Sequence, residues 1–165
     1  MWAIDFMHDK LSNGRSYKML TVLDEFARQA LAVTVRTRIG ADDVLEALYP
    51  LLLRHGSPDY IRSDNGPEFA AEAMQDWLRR VGITPIRIYP ESPWENGYKQ
   101  RFNGMLRREV LNAEWFTTTK QAQIVISHWL KQYNHTRPHR ALNMRPPVPE
   151  TILEKAQISG PDTGG

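Results

Sequence analysis

Asp5 lies inside the first apolar run, Trp2-Ala3-Ile4-Asp5-Phe6, and Asp64 follows Asp59-Tyr60-Ile61-Arg62-Ser63 and precedes Asn65-Gly66. A charge in an apolar segment is costly to bury unless something cationic offsets it. Cleaving or joining phosphodiesters needs a nucleophilic oxygen, a stabilised leaving oxygen and neutralised phosphate charge. Two divalent ions about 3.5–4 Å apart can supply all three. Hard Mg²⁺ or Mn²⁺ takes a few carboxylates, with water and phosphate filling the other octahedral positions. Asp5 and Asp64 would be its ligands if their strands are neighbours. A third ligand would come from a helix around position 100, where the chain holds an amide, Gln100, with 35 residues between it and Asp64. An amide has the shape of a carboxylate but no charge, so it coordinates weakly and cannot offset a metal ion. Two bland readings stand beside this one: Asp5 as a structural acid paired with a buried arginine, and Asp64 as an Asx-turn with Asn65-Gly66.

The elements that must position these residues follow from periodicity. Strand-like runs cover Trp2 to Phe6, Tyr17 to Leu23 and Gln29 to Val35. Asn13-Gly14 and Asp24-Glu25-Phe26 connect them, which predicts an antiparallel meander with Asp24 in a hairpin role. Asp42 or Asp43 then caps a helix carrying Val44, Leu45, Leu48, Leu51 and Leu52, with an irregularity at Pro50. Gly56 and Pro58 end it, and Tyr60-Ile61 begins a short strand into Asp64. A helix from Pro67 to Arg80 stops at Gly82, with Glu68 a first-turn acid, and Ile83 to Tyr89 reads as the next strand. Ser92-Pro93-Trp94-Glu95 is a helix start with capping-box spacing, which also accounts for Glu95. That helix runs to about Asn112 and buries Tyr98, Phe102, Met105 or Leu106, and Val110, while Asn96, Gln100, Asn103 and Arg107 line another face. A last helix spans Thr118 to Tyr133, Asn134 to Pro149 wraps the surface, and the end from Gly160 frays. The order gives an α/β architecture, a mixed five-stranded sheet flanked by helices.

The net charge of +2 hides an asymmetry. Residues 1–92 hold 11 Lys+Arg against 13 Asp+Glu, a sum of −2, whereas residues 93–145 hold 9 against 3, a sum of +6. A basic segment beside an acidic pair suits a polyanion-processing site, although a solvated helix surface has the same composition. Lys99, Arg101, Arg107 and Arg108 are the candidates for DNA-backbone contacts, with Asn96, Asn103, Arg137, His139 and Arg140 beside them. His128, His135 and His139 read as surface or phosphate-contacting residues, because Pro138 keeps His135 and His139 off a common helix face. Trp77, Trp94, Trp115 and Trp129 read as core or interface residues. Zero cysteines exclude disulfides and thiolate-bound zinc. No apolar run approaches a membrane span, and no secretion signal opens the chain, so a soluble protein in the cytoplasm is the expectation.

Six stretches, in order, resemble the catalytic core of insertion-sequence transposases related to retroviral integrases. They are Asp5-Phe6; Ile61 to Phe69; Ser92 to Tyr98; Arg101-Phe102-Asn103-Gly104; Asn112 to Phe116; and Tyr133 to Leu142. The resemblance covers residues 1 to about 153, leaving 154–165 as a tail. It implies a ribonuclease-H-like fold and metal-dependent DNA strand cleavage and strand transfer at transposon ends. It also implies a site of two aspartates and a glutamate binding two Mg²⁺ or Mn²⁺ ions, and partners comprising transposon-end DNA, target DNA and further copies of the chain. In the family the residue two before Phe102 is the glutamate, and here it is Gln100. The expectation is one bound ion or none, and severe loss of turnover. Family members usually carry an upstream helix-turn-helix region that binds those ends, so a fragment or isolated core is expected. Two other functions compete: a lapsed core kept for DNA binding or multimerisation, and a general ribonuclease-H-like nuclease, which the stretch Tyr133 to Leu142 disfavours.

Overall fold

The first three apolar runs pair with one another. In the computed structural model, which describes residues 1–63, 69, 71–87 and 97–135, β1 (Trp2–Lys10), β2 (Ser16–Asp24) and β3 (Gln29–Arg36) form an antiparallel meander, as the turn signals require. Gly14 takes φ 88°, a left-handed conformation that glycine adopts without penalty, and closes the first turn. Asp24 closes the second, its Oδ1 accepting from the N–H groups of Phe26 and Ala27 at 3.1 and 3.2 Å. β4 (Tyr60–Ser63) runs parallel to β1, and β5 (Thr84–Arg87) parallel to β4, giving a mixed sheet of order β3-β2-β1-β4-β5.

Helices cover both faces. α1 (Ala41–His55) and α2 (Glu72–Arg80) set Val44, Leu48, Leu51, Met74 and Leu78 against Trp2, Ile4, Leu20 and Val22. α3 (Gly97–Leu106), which passes into a π-helical turn at Arg107–Leu111, and α4 (Thr119–His135) set Phe102, Leu106, Ile126 and Tyr133 against Met7, Met19 and Leu23. Because side chains alternate along a strand, Asp5 shares its face with Met7 and so looks toward α3 and α4.

Several boundaries differ from the sequence expectations. Gly40, not Asp42 or Asp43, is the N-cap of α1; Asp43 reaches back from the first turn and accepts from the Gly40 N–H at 2.9 Å, where its charge also meets the positive helix end. Pro50 sits within α1, where it removes one intrahelical hydrogen bond. α2 ends as expected at Gly82, with φ 79° and the paired bonds Ile83 N–H to Leu78 and Gly82 N–H to Arg79 of a Schellman motif. α4 continues to His135, so Asn134 and His135 belong to a buried helix end rather than to a surface wrap. The reason is a polar clamp: Asn134 donates to the Ala30 carbonyl at 2.7 Å and accepts from the Ala30 N–H at 2.8 Å. Trp77 and Trp129 pack against the two cores, but Trp115 is 74% exposed. The expected features at Asp64, Asn65-Gly66, Pro67, Glu68, Ser92-Pro93-Trp94-Glu95 and residues 136–165 lie outside the described residues. Among the described residues no helix is long and apolar enough to cross a membrane.

Candidate functional site

α3 presents two neighbouring ridges at four-residue spacing. Tyr98, Phe102, Leu106 and, in the π turn, Val110 are buried. One position further on, Lys99, Asn103 and Arg107 follow the same spacing and track along β1. Asn103 Nδ2 donates to Asp5 Oδ2 at 3.0 Å. Lys99 Nζ lies 3.7 Å from the same oxygen, and the two side chains are only 10% and 15% exposed. Arg107 donates to the His8 carbonyl at 3.1 Å and stands 3.9 Å from Asp9 Oδ2. Asp5 sits opposite Thr21 of β2, whose hydroxyl donates to the Asp5 carbonyl at 3.4 Å. Helix and strand are therefore joined through the acid that the sequence singles out.

Gln100, the next residue of α3, is exposed and does not enter the core. Lys99 and Asn103, expected as DNA contacts, meet Asp5, and Arg107 is engaged with the end of β1. Arg101 and Arg108 are exposed. Asp64, Asn96, Arg137, His139 and Arg140 lie outside the described residues, β4 being described up to Ser63.

Two recesses flank the contact. One, of about 380 Å³, is lined by Phe6, Met7, His8, Asn103, Gly104 and Arg107. The other, of about 450 Å³, brings Arg28, Arg62 and Arg101 together with Glu25, Phe26 and Tyr98. Within it the Arg62 guanidinium meets both Glu25 oxygens at 3.1 Å. Burial nevertheless outweighs the guanidinium and raises the Glu25 carboxyl above its ordinary pKa. Arg28, at φ 56°, lays its guanidinium 4.8 Å from the centre of the Tyr98 ring. The Tyr98 and Tyr133 hydroxyls share a buried hydrogen bond of 2.8 Å, and burial pushes the Tyr98 phenol far up. Burial, aided by Asp9, likewise pushes Tyr17 up to about 12. The sequence reading missed two pairs here, Lys99 with Asp5 and Glu25 with Arg62. The four-residue repeat Lys99, Asn103, Arg107 was the available signal for the first.

Whether these side chains fit a divalent ion is decided by the donor set. Among the described residues no three His, Cys, Asp or Glu side chains gather at one place. Asn103 Oδ1 is a buried oxygen without a hydrogen-bond partner, and it is a hard but neutral donor. The ammonium beside Asp5 repels a second cation. As arranged, the described side chains do not fit a divalent ion.

The chain matches two family models that share the description Integrase core domain, one over residues 1–93 and one over residues 81–147. It is 40% identical over 161 residues to the uncharacterized 31.7 kDa protein of insertion element IS407 from Burkholderia multivorans. That match covers 98% of this chain and 58% of the relative, so the chain spans little more than half of that relative's length. Among solved structures, the catalytic core domain of BIV integrase matches 96% of each chain with a TM-score of 0.69 at 20% identity. The HTLV-2 integrase catalytic core domain in complex with magnesium matches 84% of this chain and 87% of that one, with a TM-score of 0.62 at 18% identity. At such identities the likeness is one of fold, and the mixed five-stranded sheet is ribonuclease-H-like, in agreement with the sequence expectation.

Proposed function

Because this chain belongs to the integrase core domain family, we propose that it is the core of an insertion-element transposase, built for metal-dependent DNA strand cleavage and strand transfer and arrested by Gln100. The observation that carries this reading is the meeting of β1 and α3, which brings Asp5 into contact with Lys99, the residue before Gln100, and Asn103, three residues after it. The sheet supports the second acid. β4 lies beside β1 with Trp2 opposite Ile61 and Ala3 opposite Arg62. On this reading Asp5 and Asp64 are the metal ligands and the third place is lost to an uncharged amide. DNA, both element ends and target, is held by the basic surface, to which Arg101 and Arg108 contribute as exposed cations and Asn96, Arg137, His139 and Arg140 as further candidates.

Gln100→Glu tests the assignment. In millimolar Mn²⁺, with the end-binding region supplied in cis, the variant is expected to nick DNA carrying element ends at least on the order of a hundredfold faster than the parent, the scale on which one electrostatic contributor acts. A folded Gln100→Glu protein that binds DNA and leaves it uncut at saturating Mn²⁺ would overturn the site. The Lys99–Asp5 contact favours one second reading, a lapsed core retained for DNA binding or multimerisation. That reading requires salt-dependent DNA binding to persist with no reaction from Gln100→Glu.

A further inference from the structure

We infer that Lys99 is a built-in counter-cation that takes the place of a divalent ion at Asp5, so that loading this site requires the Lys99 ammonium to leave. The inference rests on reading Asp5 as a metal ligand. It follows from the cost of the strand's location: Asp5 lies on β1, in the middle of the sheet, with its side chain largely withdrawn from water. A carboxylate there needs a cation or a set of donors. α3 supplies both to one atom, the ammonium at 3.7 Å and the Asn103 amide at 3.0 Å from Oδ2.

Lys99 is itself among the few buried charged residues of the described part. Lysine is almost never fully buried unless it is paired, and this one lies one residue beyond the buried Tyr98 and one before the exposed Gln100. The charges of Asp5, Lys99 and Gln100 sum to zero. Consecutive residues of α3 therefore weaken metal binding in two different ways: Gln100 withholds a ligand, and Lys99 engages one already present. The second effect persists when the first is repaired, so Gln100→Glu alone restores the donors but leaves a competitor in place. The same contact neutralises Asp5 without metal, so it also stabilises the metal-free fold.

Mn²⁺ alone is the probe, its free concentration followed by electron paramagnetic resonance on the folded chain. Lys99→Met keeps the apolar stem and removes the charge. In both the parent and the Gln100→Glu background it is expected to tighten Mn²⁺ binding at least about tenfold. Asp5→Asn should cancel that gain. Lys99→Met should also lower the metal-free melting temperature while enlarging the rise on adding Mn²⁺. Unchanged Mn²⁺ affinity in both backgrounds, or a gain that survives Asp5→Asn, would overturn the inference. Should Lys99→Met fail to fold, the Gln100→Glu protein gives the same decision by nuclear magnetic resonance. Mg²⁺ must shift the Lys99 Cε resonance with the half-saturation of binding itself, and binding without that shift refutes displacement. A Lys99→Met/Gln100→Glu protein that binds Mn²⁺ tightly yet cuts no DNA would uphold the inference and sink the transposase reading.

Discussion

A carboxylate largely withdrawn from water needs a cation or a proton, and Glu25, in the turn between β2 and β3, shows how the two compete. Its two oxygens face Arg62 at 3.1 Å, with side-chain exposures of 20% and 17%, yet desolvation is the larger influence and raises its pKa. Arg62→Met leaves this acid without its guanidinium and should cost about 1–3 kcal/mol at neutral pH, below the 3–5 of a fully buried pair because both groups retain some water. A group whose folded pKa is raised stabilises fully below its unfolded pKa, near 4.3, and loses that contribution as pH rises through the folded value. Removing Arg62 raises the folded pKa further. Urea unfolding should therefore show an Arg62→Met deficit that is larger at pH 7 than at pH 4.5. An equal deficit at both would mean that lost packing, not the carboxylate, is responsible. Glu25→Gln, which still offers an acceptor, should cost less. The acids themselves were legible in the sequence, since Asp5 in an apolar run and Asp24 at a turn declare their situations locally. The ion pairs were not, because Asp5 with Lys99 and Glu25 with Arg62 lie far apart along the chain, the latter by 37 residues, and meet only once the order of the strands is known.

At the scale of elements, the exposed edge of β3 decides where α4 ends. An edge strand carries unpaired N–H and C=O groups. Here two amide side chains of α4 cover them: Gln123 accepts from the Val35 N–H at 2.7 Å and donates to the Val33 carbonyl at 2.8 Å, and Asn134 does the same for both groups of Ala30. Asn134→Ala strands a buried donor and a buried acceptor, so a loss of about 2–4 kcal/mol is expected in urea unfolding. Gln123→Ala should cost less, because that site is only partly buried. A loss below that of Gln123→Ala would remove the clamp as the reason for the helix boundary. His55 tests the end of α1. The helix dipole and Asp24 favour its protonation, but burial and the neighbouring Arg54 win and lower its pKa. The unfolded chain then takes up the proton first, so stability is full above about pH 6.5 and falls as pH drops through that value toward the folded pKa. His55→Gln should flatten this slope. An unchanged slope would place its origin elsewhere. Periodicity made every one of these strands and helices legible, but not the cap of α1 or the π turn. Four-residue spacing drifts about 40° per step around an α-helix, and only the wider turn at 107–111, with Asn112 N–H bonded to the Arg107 carbonyl at 2.8 Å, keeps Val110 and Leu111 on the core. Tertiary packing enforces that turn, and no local residue announces it.

For the whole molecule, the charge asymmetry between residues 1–92 and 93–145 acquires a direction once the fold is assembled, because α3, which belongs to the basic segment, lies against the strand that carries Asp5. Not all of its cations face outward. Lys99 is spent on Asp5 and Arg107 on the end of β1, whereas Arg101 and Arg108 are exposed. A cation that neutralises a phosphate releases a counterion, so each such contact steepens the plot of log K against log salt by about 0.9 for duplex DNA. Arg101→Ala with Arg108→Ala is therefore expected to reduce the slope by about 1.8 if each arginine meets one phosphate, with little change in folding stability. Lys99→Met and Arg107→Ala should do the reverse, leaving the slope within error while lowering the melting temperature. Fluorescence anisotropy with labelled duplex across a salt series separates the two patterns. A slope unmoved by Arg101 and Arg108 but reduced by Lys99→Met and Arg107→Ala would show that α3 turns the ridge engaged with β1 to the DNA, and that the β1–α3 contact opens when the nucleic acid binds.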